Sequence, residues 1–338
     1  MRWCAANPCL PTALTLGTTL LLSAQAAATP IPHGTLELVA ETQWIAPGRE
    51  LYLGLHFQLE KGWHIYWVNP GDSGEPPRVR WQLPEGLTPG AMEWPRPRRL
   101  EASSVVNFGY DDAVLLLMPI QTSASLAAER PVRVGADVKV LVCREICIPG
   151  NAQLSLTLLV KSRPSEPDAR TRDLFAAARK SLPRHAPAHW RFSVNDAKDS
   201  FVLTANLGHH TTQAIFFPLT ESEIDNAAPQ KLLPLAAGFR LTLRKSDQLL
   251  KPIERLKGVL VLSPDQAYLI DEPIGKPVAA GNNYGIGIHR HNPSRRDNRD
   301  ETLYSLPDAP RSGDVHSSAA DLGCESRRDS AGLHRRGE

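Results

Sequence analysis

Cysteine is scarce in this sequence, at five among 338 residues, and two of the five, Cys4 and Cys9, lie in the first ten positions. A disulfide-dense scaffold is thereby excluded. Methionine is scarcer still, at three, too few for a copper-binding methionine stretch. Aromatic residues make up only 6%. Net charge is +2, which provides no field of one sign for nucleic acid or a membrane surface. No run after the first 26 residues is long and apolar enough to read as a membrane helix. There is no G-x-S-x-G nucleophile motif, no glycine-rich phosphate loop and no carboxylate pair at helical spacing. His209-His210 and His289 with His291 read as solvated surface residues, so no metal site and no organic cofactor are expected.

The first 26 residues read as a secretory signal. Arg2 supplies the positive end, Leu10 to Leu22 the apolar run, and Ala24-Gln25-Ala26 an A-x-A cleavage site. The run is short for a membrane anchor, and no cysteine stands at the cleavage point to carry a lipid. The mature chain then begins near Ala27 and keeps Cys143, Cys147 and Cys324. An exported location, the periplasm, permits disulfides.

What is present is a β pattern. Apolar residues make up 42%, charged residues 22%, and there are 29 prolines, which suits a loop-rich β protein. Leu51, Leu53, Leu55, Phe57 and Leu59 alternate cleanly, Trp63, Ile65 and Trp67 continue the alternation, and Val114 to Ile120 is an apolar strand. Short strands without intervening helices predict an immunoglobulin-like β-sandwich over residues 27–162. Residues 163–188 read as a linker with one helix, Asp168 to Leu182, stopped by Pro183. Residues 189–275 predict a second, smaller β-sandwich, making the chain mainly β. Residues 276–338 hold nine Arg and a single Lys without sustained periodicity. They read as a disordered tail or as an out-of-frame continuation, with Cys324 incidental.

The chemistry concentrates in Leu141-Val142-Cys143-Arg144-Glu145-Ile146-Cys147-Ile148-Pro149-Gly150. Alternating valines precede it, alternating leucines follow, and Pro149-Gly150 is a turn signal. The thiols are therefore expected where one strand ends and the next begins. Three readings stand side by side. A structural disulfide closing so short a loop removes little entropy from the unfolded chain. A zinc site needs four ligands, and no second pair has usable spacing. A redox pair cycles between dithiol and disulfide by exchange.

Three stretches together resemble a known family: Gly62-Trp63-His64-Ile65-Tyr66-Trp67-Val68-Asn69-Pro70-Gly71-Asp72-Ser73-Gly74, Asn107-Phe108-Gly109-Tyr110, and the cysteine segment. The region Gly34 to Ile274 resembles the N-terminal periplasmic region of the DsbD/ScsB group of thiol:disulfide interchange proteins. The resemblance implies an immunoglobulin-like domain with a redox pair, Cys143 and Cys147, acting as a protein-disulfide reductase. Cys147 would form the mixed disulfide and Cys143 would resolve it; the charges of Arg144 and Glu145 do not decide the order. The implied partners are periplasmic thioredoxin-like or disulfide-isomerase proteins. Reduction would come from a membrane electron donor, separate or missing from this chain, which departs from the family in having neither its membrane helices nor its C-terminal C-x-x-C domain. The loop Tyr66 to Gly74 is a candidate shield for the pair, with Tyr66, Trp67, Asp72 and Tyr110 as surrounding residues and Asp72 and Tyr110 as polar contacts. Trp63 and Trp67 also fit as core aromatics, and Asn69 to Gly74 as a plain turn. Two rival functions are a binding module with a static disulfide and a copper-tolerance protein holding Cu(I) on two thiolates.

Overall fold

The computed structural model describes residues 28–102 and 105–275. The expected leader and the Arg-rich segment, with Cys4, Cys9, Cys324, His289 and His291, lie outside them. The first half of the described chain is built of β1 (Thr29–Ile31), β2 (Gly34–Ala40), β3 (Trp44–Ile45), β4 (Leu51–Leu59), β5 (His64–Gly71), β6 (Arg78–Gln82), β7 (Leu87–Pro89), β8 (Arg98–Ala102), β9 (Val105–Asp111), β10 (Ala113–Thr122), β11 (Pro131–Cys143) and β12 (Cys147–Val160). One sheet has the order β1-β2-β4-β10-β7, the other β3-β12-β11-β5-β9-β8 with β6 also on β11. The expected immunoglobulin-like sandwich is what forms.

Alternation dictates which side chains fill it. Leu51, Leu53, Leu55 and Phe57 of β4 are all buried, as are Ile65 and Trp67 of β5 and Val138, Val140 and Val142 of β11. Each fully buried side chain of this size contributes roughly 1.5–3 kcal/mol. The longest hairpin, β11 with β12, keeps thirteen register pairs without a break, from Pro131↔Leu159 to Cys143↔Cys147. Pro149 and Gly150, read as a turn, lie inside β12 instead. Gly150 is required there by close packing, because a Cβ would come within 2.7 Å of Pro32 Cδ.

The helix is shorter than expected, α1 (Arg172–Ser181) rather than Asp168 to Leu182. Asp168 holds a turn before it: its backbone carbonyl accepts from Thr171 and Arg172, and its side chain accepts from the Arg170 amide at 3.0 Å. Short polar side chains favour such turns over helix interiors. Phe175 and Ala178 of α1 cover Val39, Leu115 and Leu117 on the outer face of the first sheet.

The second half holds β13 (Arg184–His185), β14 (Arg191–Ala197), β15 (Ser200–Asn206), β16 (Ile215–Pro218), β17 (Lys231–Leu235), β18 (Gly238–Arg244), β19 (Arg255–Ser263) and β20 (Gln266–Gly275). They follow the order β16-β19-β20-β14-β15-β18-β17, with β13 also on β20. β13 thus falls within the stretch read as linker. The two β regions share apolar packing: Phe217, Val259 and Ala267 join the core of the first sandwich. Phe217 meets Phe108 edge-on at 5.1 Å and Trp67 at 6.4 Å, spacings at which aromatic pairs are favourable.

Candidate functional site

Cys143 and Cys147 form a disulfide across the turn end of the β11–β12 hairpin. The chain reverses through Arg144, Glu145 and Ile146, where the Arg144 amide donates to the Ile146 carbonyl at 3.0 Å. The hairpin is already held by the ladder behind it, so the bridge adds little to its closure. The two sulfurs sit differently. Cys143 is only 1% exposed, whereas Cys147 and the whole loop before it are exposed, Ile146 at 64%. One thiol is therefore accessible to a partner and the other is not.

Arg144 lies over the Trp63 ring at 5.0 Å and pairs with Glu145 at 2.6 Å. Trp63 also stacks on His33 at 3.7 Å. The Arg144–Glu145 pair is exposed, and such pairs contribute little, so the loop's charges leave neither thiol favoured.

Strand β5 turns Ile65 and Trp67 into the core and His64 and Tyr66 to the other face. On that face the Tyr66 hydroxyl lies 3.6 Å from Cys147 Sγ. Tyr66 is 1% exposed. Its burial comes from the following loop: Gly74, at φ +94°, lies flat on the ring, and a Cβ there would fall 2.2 Å from Tyr66 Cζ. Burial pushes the Tyr66 hydroxyl above its ordinary pKa, against a lowering bond with Ser73. The hydroxyl therefore stays protonated and can donate to a Cys147 thiolate. The loop covers Tyr66, while Cys147 stays exposed.

The other residues singled out in the sequence lie further from the sulfurs. Trp67 is fully buried in the core. The Tyr110 hydroxyl donates to the Pro95 carbonyl at 2.7 Å. Asp72 accepts from the Val106 amide and from Asn226 Nδ2, each at 2.8 Å. Asp72 therefore ties the loop to the second β region. Asn69 does the same: it is 1% exposed, and its Nδ2 donates to the Pro218 and Thr220 carbonyls at 2.8 and 3.1 Å. Its Oδ1 accepts from the Gly71 amide at 2.9 Å. Arg99 adds a bond to the Asn226 carbonyl at 2.6 Å.

Sequence reasoning missed two residues. Asn69 read as part of a turn, and nothing local signals partners about 150 positions away. His64 has no role of its own in the sequence reading of the stretch Gly62 to Gly74. It is 9% exposed and opposes Cys143 across the β5–β11 ladder. Burial lowers the pKa of its ring, and the Asp111 carboxylate opposes that shift. No group of three or more His, Cys, Asp or Glu among the described residues could hold a metal ion. No described helix is long and apolar enough to cross a membrane.

Residues 35–159 match the family described as thiol:disulfide interchange protein DsbD, N-terminal. No curated protein matches the chain. Among solved structures, the N-terminal periplasmic domain of ScsB from Proteus mirabilis superposes with a TM-score of 0.55 at 17% identity, over 73% of this chain and 97% of that one. This likeness establishes the shared fold. The periplasmic chaperone SfaE aligns at a TM-score of 0.19 and 9% identity, over 72% of this chain and all of its own, too weak to bear on the fold.

Proposed function

We propose, from a chain whose residues 35–159 form a domain of the DsbD N-terminal family of thiol:disulfide interchange proteins, that this protein is the periplasmic module that hands electrons from Cys143 and Cys147 to partner disulfides. The observation that carries the reading is the asymmetry of the pair, with a buried Cys143 bonded to an exposed Cys147 at the tip of a hairpin. Exchange requires one sulfur within a partner's reach, and a staple has no need of that difference.

In the reduced protein the Cys147 thiolate attacks a partner disulfide. A mixed disulfide forms, and the partner's first sulfur leaves with the electron pair. Cys143 then attacks Cys147 Sγ, the intramolecular bond re-forms, and the partner's second sulfur leaves. Two electrons have moved to the partner, whose sulfurs take up two protons. Tyr66, beside Cys147, steadies the attacking thiolate by a hydrogen bond from its hydroxyl, which keeps its proton. The partners are periplasmic thioredoxin-like or disulfide-isomerase proteins, and a membrane electron donor re-reduces the pair.

An equilibrium titration against glutathione, with thiol state read as mass shift after alkylation, tests this. A potential more positive than about −300 mV, with the exposed Cys147 alkylated in the folded reduced protein, supports exchange. A bridge that resists reduction until the protein unfolds would make it a static staple.

A further inference from the structure

The disulfide belongs to a longer row. Register pairs run Asp111↔His64 from β9 to β5, His64↔Cys143 from β5 to β11, and Cys143↔Cys147 from β11 to β12. Directly opposed residues of adjacent strands send their side chains to the same face. A carboxylate, an imidazole and two sulfurs therefore stand in line on one side of the sheet. The neighbours in sequence, Tyr110, Ile65 and Val142, fill the core on the other side.

Within this row His64 is anomalous. Its Nε2 is buried and has no hydrogen-bond partner among the described residues. An unmet buried polar atom costs roughly 1–3 kcal/mol, and in a native structure it needs a reason. Cys143 has the complementary problem. At 1% exposure its thiol cannot readily pass a proton to solvent, and burial disfavours its thiolate. The step that resolves a mixed disulfide requires that proton to leave.

We propose that His64 is the proton acceptor for Cys143, with Asp111 supporting the charge the ring then carries. The role rests on the interchange reading. As Cys143 attacks, its Sγ–H proton passes to His64 Nε2 and its electron pair forms the bond to Cys147 Sγ. The bond between Cys147 and the partner breaks with its electrons on the partner sulfur, which takes a proton from water. The imidazolium then returns its proton to solvent. The pair is oxidised by two electrons and the partner's disulfide is reduced.

The surroundings suit the task. Burial keeps the ring neutral beforehand, hence able to accept. From β9 it faces Asp111, itself paired with Arg98 at 2.5 Å. From β5 it meets Tyr66 edge-on at 5.3 Å, and from β11 it faces Cys143. The Tyr66 hydroxyl is directed at Cys147, so each sulfur has its own polar neighbour.

The test uses the full chain, reduced, freed of reductant and mixed with excess oxidised glutathione between pH 5 and 9. Acid quenching and alkylation separate formation of the Cys147–glutathione adduct from its decay to the internal disulfide. In His64→Gln, formation keeps its rate while decay at pH 7 slows about 100-fold and becomes steeply dependent on pH. Decay with the parent rate and pH profile would overturn the proposal. If that variant does not fold, Asp111→Asn, on a half-exposed position, replaces it: decay slows about tenfold with formation unaltered, and unaltered decay overturns the proposal. A parent protein that forms no adduct at all would overturn the interchange reading, and the His64 role with it.

Discussion

Replacing Gly74 with alanine tests whether the loop after β5 is seated on Tyr66. Gly74 has φ +94°, and the added Cβ would lie 2.2 Å from Tyr66 Cζ and 2.3 Å from Cε1. A left-handed backbone costs a non-glycine residue roughly 1–2 kcal/mol. Displacing a packed ring costs about 1–3 kcal/mol more. The stiffer unfolded chain returns about 0.4–1 kcal/mol. The balance is a loss of about 1–5 kcal/mol, read as a lower urea midpoint with an unchanged slope. The strain is relieved by lifting the loop or by moving the ring from Cys147, and either opens the sulfur further. Reduction of the disulfide by dithiothreitol, followed at a denaturant-free pH 7, should therefore quicken in the same variant. A stability change below about 0.5 kcal/mol, with an unaltered reduction rate, would refute the seating of Gly74 on Tyr66.

Asn69→Ala leaves the Pro218 and Thr220 carbonyls and the Gly71 amide without their bonds and should cost about 2–4 kcal/mol, measured by thermal or urea unfolding. Phe217→Ala empties the junction with Trp67 and Phe108 and should cost about 3–5 kcal/mol; proteolysis should then release the second β region before the first. Glu223 is buried, and burial pushes its carboxyl up to about 7, against the Thr220 bond and the Lys257 charge. The folded state holds that proton more tightly than the unfolded one, so this contribution is present below about pH 4.5 and is lost as pH rises through about 7. Glu223→Gln should accordingly raise stability at pH 8, by at most about 3 kcal/mol, and change little at pH 4. Equal effects at both pH values would refute the linkage.

How much of this was legible in the sequence varied with the range of the interaction. The β class and the immunoglobulin-like sandwich followed from period-2 alternation, because a strand with one buried face must place its apolar residues at every second position. The cysteines at a strand end were legible for the same reason, through the valines before them and the leucines after. The turn was misplaced to Pro149-Gly150 because a proline and a glycine also suit a strand that another segment approaches closely, as Pro32 does here. The helix start was set too early because Asp168 favours a turn as readily as a first helical residue. Domain boundaries near residues 163–188 were blurred by β13, whose pairing to β20 crosses more than eighty positions.

The sequence by itself determined the strands, the chemistry available at Cys143 and Cys147, and the residues able to flank them, because these depend on local spacing and side-chain type. Only the tertiary structure decided which sulfur is exposed, that His64 and Asp111 stand in line with them, and that Asn69 and Asp72 fasten the neighbouring loop to the second β region. Those facts depend on strand register and on hydrogen bonds between distant segments, and neither is written in any local pattern of residues.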